Sequence, residues 1–280
     1  MSKRNSQEAK RNARERLREE RERQAKKDKL RRQLVVGGSI VGVLAIAAGI
    51  GFAVTQLGDG GGSGTVSSKE WNDAAEDKKL VKPASTSGAQ GTDVIIGEKG
   101  AEKTLQVYED MRCPACAAFE QGAGEILIQD VEEGKYKAEF VMATFIDDMA
   151  QGSGSKNALS ALGAALDVSP QAFMDYKHAL YSQKNHPEES EDEFADDAYL
   201  LEVADEVKEL KGNADFEKDV KDGTFDKWAL EMDKKFDKSD VQGTPTLKMN
   251  GEKLVVEGTE NTPMAPDQFK AAIDKALTAE

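Results

Sequence analysis

Residues 104–120 read TLQVYEDMRCPACAAFE. Leu105 and Val107 alternate with polar neighbours, which predicts a strand over 104–108. Cys113-Pro114-Ala115-Cys116 follows at once and opens a helical pattern that runs to about Asp130. The motif therefore stands where a strand hands over to a helix. Cys113 falls in the N-cap region, Pro114 at the first helical position and Cys116 in the first turn. Backbone N–H groups at such a point lack intrahelical partners, and with the helix dipole they favour negative charge. A thiol placed there is expected to have a lowered pKa and to react as the thiolate. Cys113 is expected to be the exposed attacking sulfur. Cys116, one turn in, is expected to be partly buried and to resolve the mixed disulfide. Arg112 would add to the positive field, whereas Glu109 and Asp110 would oppose it.

These are the only two cysteines among 280 residues. Three uses of the pair compete. A tetrahedral zinc site needs two further ligands. The only histidines, His178 and His186, are eight apart, wider than zinc-finger spacing, and read as surface residues. No metal is therefore expected. A structural disulfide would close a loop of four residues, which contributes only about 2 kcal/mol against ~3 for a 15-residue loop. Redox chemistry accounts for the placement at the strand–helix junction. A second element supports it: Gly243-Thr244-Pro245 stands just before a predicted strand. A Pro at a strand start loses no ladder bond, and an X-Pro bond accepts the cis form. Opposite the dithiol, a cis Pro245 would turn the Thr244 backbone toward a bound peptide.

Outward from this core the pattern is short. Asp93–Ile96 and Tyr136–Ile146 read as strands. Residues 152–240 hold no convincing strand. They carry helix periods instead, at Leu200, Val203, Val207 and Leu210, and at Phe225, Trp228, Met232 and Phe236. Ser169-Pro170 reads as an N-cap with Pro at the first helical position. Within this block Glu188–Asp197 (EESEDEFADD) reads as a solvated turn and helix start. Thr246–Met249, Asn250-Gly251 and Glu252–Glu257 read as a hairpin, and Asp267–Leu277 as a last helix.

Charge divides the chain. The total of 38 Lys+Arg and 52 Asp+Glu gives −14, yet residues 1–33 hold 14 basic and 6 acidic groups, a net of +8. The remainder carries −22, and the overall −14 argues against nucleic acid as the main partner. Between the two lies LVVGGSIVGVLAIAAGIGFAVTQL (34–57), without a charge. At ~1.5 Å per residue it reaches about 36 Å, enough to cross a ~30 Å hydrocarbon core. A signal peptide has a short basic region and a shorter apolar stretch, so an uncleaved anchor is expected. The positive tail 1–33 places the N-terminus in the cytoplasm and the rest outside. GDGGGSG (58–64) opens a linker read as extending over 58–91, a spacer with at most a short helix near 69–79.

The stretch 104–120, the strand AEFVMATF (138–145) and DVQGTPTLKMNGE (240–252) together resemble the DsbA-like branch of the thioredoxin superfamily. The chain looks like the membrane-anchored thiol–disulfide oxidoreductases of Gram-positive, especially actinobacterial, type. The resemblance covers 92–280. It implies an α/β fold, a thioredoxin-like central sheet with a helical insertion at about 152–240. It implies that Cys113 is the nucleophile, Cys116 the resolving cysteine and Pro245 the cis proline, with Thr244, Pro114 and Ala115 beside the substrate. No cofactor is implied beyond the Cys113–Cys116 disulfide itself. The expected activity is introduction of disulfides into unfolded exported proteins, with a membrane quinone-linked partner as reoxidant. A reductase or isomerase of the same fold, or a peptide-binding chaperone module, are the alternatives. Strongly oxidising relatives often carry Pro-His between the cysteines. Here the pair is Pro114-Ala115, so thiolate stabilisation must come from backbone and neighbours.

Overall fold

The computed structural model describes residues 67–279. The basic tail and the apolar stretch 34–57 lie outside the described residues. Among the described residues no helix is long and apolar enough to cross a membrane.

The centre is a five-stranded sheet in the order β1-β3-β2-β4-β5. Its strands are β1 (Val94–Ile96), β2 (Thr104–Asp110), β3 (Lys137–Ala143), β4 (Thr246–Met249) and β5 (Glu252–Lys253). β2 and β3 run parallel, with Val107 opposite Phe140, and every other pairing is antiparallel. A parallel pair needs a crossover. Here it is the helix opened by the CxxC: α2 (Pro114–Phe119), a π turn (Glu120–Gly124) and α3 (Glu125–Glu132). β2 and β3 are buried on both faces in their second halves, as central parallel strands are. Phe140 meets Phe173 edge-on at 5.2 Å on one face. Tyr108 meets Phe236 at 6.3 Å on the other.

Between β3 and β4 lies the helical insertion: α4 (Phe145–Ala150), α5 (Gly154–Val168), α6 (Pro170–Tyr181), α7 (Asp197–Ala204), α8 (Ala214–Asp222) and α9 (Asp226–Asp237). α5 is apolar or small nearly all round and is buried along almost its whole length, as a central helix must be. Gly163 lets α9 approach it: a Cβ there would lie 2.8 Å from both Phe225 Cβ and Trp228 Cε3. Ser169 caps α6, accepting from Ala172 N at 2.9 Å, with Pro170 at the first position as read from the sequence. Phe225, Trp228, Met232 and Phe236 are core residues. A last helix, α10 (Pro266–Thr278), packs Phe269 on Phe119 of α2 at 5.8 Å.

Four local expectations need correction. Strand β3 stops at Ala143 and does not continue to Ile146. Asp233 accepts from Thr144 N (2.8 Å) and Asp110 from Ile146 N (3.1 Å), so distant carboxylates start α4 there. Val207 and Leu210 are buried, but helix α7 ends at Ala204 and turns carry them. The hairpin turn at Asn250-Gly251 has positive φ at both residues, yet β5 is only Glu252–Lys253. Finally, residues 67–91 are not a spacer. Helix α1 (Ser68–Glu76) starts from a Ser67/Glu70 capping box and buries Ala75. Trp71, Leu80 and Val81 pack on the core. Lys78 reaches Asp226 at 2.7 Å, and Trp228 Nε1 donates to Gly91 O at 2.6 Å.

Candidate active site

Strand β2 ends at Asp110 and the chain enters α2 through Met111-Arg112-Cys113. Cys113 is the N-cap, extended at φ −75°, ψ 115°, and Pro114 is the first helical residue. Both cysteines are thiols. Pro114 and Ala115 are exposed between them. Cys113 keeps 7% of its surface in contact with solvent and Cys116 none. Cys113 is thus less open than the sequence suggested, because the loop before β4 leans over it. In β4 Thr246 lies opposite Tyr108, which carries the preceding residues alongside the end of β2. The Thr244–Pro245 peptide is cis, and Thr244 O lies 3.7 Å from Cys113 Sγ. Thr262 Oγ1 donates to Pro245 O (2.9 Å) and Thr246 Oγ1 to Gly243 O (2.7 Å), fixing this loop.

The two sulfurs differ in acidity. The Cys113 pKa is pulled down to about 6, first by the Cys116 thiol. Burial opposes this, and the Thr244 side chain and the amides of Cys116 and Ala115 add to it. The Thr244 hydroxyl is buried with no hydrogen-bond partner, so it is available to a thiolate. Ala115 thus contributes through its N–H, as the Pro-Ala dipeptide requires. Cys116 is pushed well above the ordinary thiol value by burial, then by Cys113 and Glu109. Arg112 does not face the sulfur. Its buried guanidinium is held at 3.0 Å by Asp147, by Asp192 and by Glu189 O. Asp192 also accepts from Ser153 N and Gly154 N at 2.9 Å, so part of the acidic run 188–197 is structural rather than merely solvated.

Beneath the dithiol lies a buried ionic cluster that pattern reading missed. Lys177 Nζ reaches Glu109 at 3.0 Å and Glu120 at 2.6 Å, and His178 Nδ1 lies 3.2 Å from Glu120. Burial pushes Glu109 up to about 7 despite Lys177. Burial also works against Glu120, but Lys177 and His178 hold it below the ordinary carboxylate range. Glu120 fits because its carboxylate folds over Gly124, where a Cβ would lie 2.6 Å from it. Asp110 is likewise raised to about 7 by burial, partly offset by Ser155, Arg112 N and Ile146 N. A signal for the cluster existed: Lys177 sits among Phe173, Met174, Leu180 and Tyr181, at a core position of α6. The histidines are not surface residues either. His178 is half-buried on Glu120, and His186 stacks on Tyr181 at 5.7 Å with Nε2 3.0 Å from Met111 O.

A dithiol at a strand–helix junction, with a cis proline from the loop before the adjacent strand beside it, defines a thioredoxin-fold dithiol protein. A family model described as Thioredoxin matches residues 89–275. Disulfide bond formation protein D of Bacillus subtilis is 24% identical over 187 residues, 65% of this chain and 76% of that protein. The structure of reduced DsbA from Mycobacterium tuberculosis is 25% identical at a TM-score of 0.54, covering 68% of this chain and 94% of that one. The reduced disulfide bond oxidoreductase DsbG of the same organism is 25% identical at 0.53, covering 71% and 86%. The chain belongs to the thioredoxin family. Within it, the protein is a DsbA-like thiol–disulfide oxidoreductase of Gram-positive, actinobacterial type.

Proposed function

We propose that this protein is a membrane-anchored, extracytoplasmic oxidase that introduces disulfides into exported proteins through Cys113 and Cys116. The observation that carries this reading is the placement of Cys113 at the N-cap of α2, 3.7 Å from Thr244 O of the cis Thr244–Pro245 peptide, with Cys116 fully buried one turn in. This placement lowers the Cys113 pKa to about 6 and raises that of Cys116 well above the ordinary value. A low-pKa sulfur is a good leaving group, and a stabilised thiolate makes the reduced form the favoured one. In the oxidised enzyme a substrate thiolate attacks Cys113 Sγ. The Cys113–Cys116 bond breaks, and Cys116 leaves and takes up a proton. A second substrate thiolate then attacks the substrate sulfur of the mixed disulfide. It expels Cys113 as thiolate, and the substrate gains a disulfide while the enzyme gains two electrons. Thr244 and Pro245 position the peptide, and the exposed Pro114 and Ala115 border it. A quinone-linked membrane partner accepts these two electrons, and the Cys113–Cys116 disulfide re-forms. Residues 34–57 are the anchor, with 1–33 on the cytoplasmic side. The names of the Bacillus and mycobacterial relatives favour this direction of electron flow.

Alkylation trapping in intact cells tests the reading: Cys113 and Cys116 are expected mostly as the disulfide. The potential of the purified chain against glutathione is expected between roughly −270 mV (thioredoxin) and roughly −120 mV (DsbA). A mostly reduced pair in cells, with a potential at or below that of thioredoxin, would establish a reductase or isomerase instead.

A further inference from the structure

The three residues that lead into the CxxC are each held by the helical insertion. Tyr181 Oη, at the end of α6, donates to Asp110 O at 2.9 Å. That carbonyl also accepts the amide of Cys113 at 3.0 Å. His186 Nε2 lies 3.0 Å from Met111 O. A carbonyl only accepts, so the imidazole carries its proton on Nε2 and donates. Arg112 is tied to Glu189 O and Asp192, both in the same segment. The clasp is itself rigid. The Tyr181 and His186 rings stack 21° from parallel, and His186 meets the buried Phe194 edge-on at 5.8 Å. Residues 181–192 thus grip Asp110, Met111 and Arg112 in succession, and the next residue is the reactive cysteine.

We infer that Tyr181 and His186 are positioning residues for the thiol–disulfide reaction, through which the insertion sets the reactivity of Cys113. The amides of Ala115 and Cys116 stabilise the Cys113 sulfur only if the cysteine enters α2 at the right angle. That angle is set by the carbonyls of Asp110 and Met111. Releasing them lets the approach relax, the thiolate loses donors and the disulfide form gains relative to the dithiol. The inference rests on the reading that Cys113 is the reacting sulfur.

The test is the equilibrium of the purified full chain with glutathione. Tyr181→Phe removes one oxygen and keeps the ring stack. His186→Phe keeps a ring and loses the donor, and His186→Gln restores an N–H toward Met111. Tyr181→Phe and His186→Phe are each expected to move the equilibrium at least threefold toward the disulfide, with His186→Gln closer to wild type. Equilibria within 1.5-fold of wild type in folded Tyr181→Phe and His186→Phe overturn the inference, even where the melting temperature falls. Should His186→Phe fail to fold, Tyr181→Phe alone decides. A wild-type chain that exchanges no disulfide with glutathione overturns the oxidoreductase reading itself, which is a separate outcome.

Discussion

Cys113 in the folded, reduced protein titrates near 6, against about 9 for an ordinary thiol in the unfolded chain. Between those values the unfolded chain binds the extra proton, so stability rises with pH and is lost as pH falls through 6. Glu109 and Asp110 act in the opposite sense. Their carboxyls are pushed up to about 7 by burial. Their contribution is complete below about 4 and is lost as pH rises through 7. The disulfide form lacks the Cys113 contribution but retains both carboxyls. The stability of the reduced form relative to the oxidised form is therefore expected to increase by about 1 kcal/mol from pH 5 to pH 7. Urea unfolding of both redox forms at the two pH values measures it, and a flat difference would show that Cys113 is not depressed. The position of Cys113 before a helix was legible from residues 104–116, because the effect is local. The apolar surroundings of Lys177 marked one member of the buried cluster, but its partners Glu109 and Glu120 were not legible, since they come from β2 and the π turn.

At the scale of elements, the decisive contact is helix on helix. Alanine at Gly163 would gain about 1 kcal/mol of helix propensity. Its Cβ would also stand 2.8 Å from Phe225 and Trp228, and overpacking costs about 1–3 kcal/mol. Packing wins, because Trp228 is fully buried and its indole is pinned to Gly91 O. Gly163→Ala is expected to destabilise the protein by about 1 kcal/mol in chemical denaturation, and a more stable variant would refute the argument. Helices with their own signals were legible: Ser169-Pro170 opens α6, and the apolar period 225–236 runs through α9. Where a boundary is set from a distance, periodicity misleads. Thr144 and Ile146 look like strand residues, but Asp233 and Asp110 take their amides and turn the chain into α4. Val207 and Leu210 keep helical spacing and burial without a helix beneath them.

For the whole molecule, the folded unit begins earlier than composition suggested. Residues 67–91 carry few apolar groups, yet Trp71, Leu80 and Val81 cover the core and Lys78 neutralises the largely buried Asp226. Removing them exposes apolar surface worth about 1.5–3 kcal/mol per large side chain. It also leaves Asp226 without its lysine. A chain of residues 92–280 is expected to be more than about 3 kcal/mol less stable than one of residues 67–280, or roughly 10 °C lower in melting temperature. Differential scanning calorimetry of the two compares them directly, and equal melting temperatures would restore the spacer reading.

The strand–helix junction, the CxxC placed on it, the proline that precedes β4 and the helical character of 152–240 are all written in consecutive residues. Each depends on neighbours within a turn or a strand. What surrounds the sulfurs follows from long-range packing. It brought Thr244 over Cys113 from 131 positions away, placed Lys177 beneath the dithiol, turned Arg112 away from it and set the carbonyls before Cys113 in the grip of Tyr181 and His186. Those effects depend on burial and on distances between segments remote in the chain, and neither has a local signature.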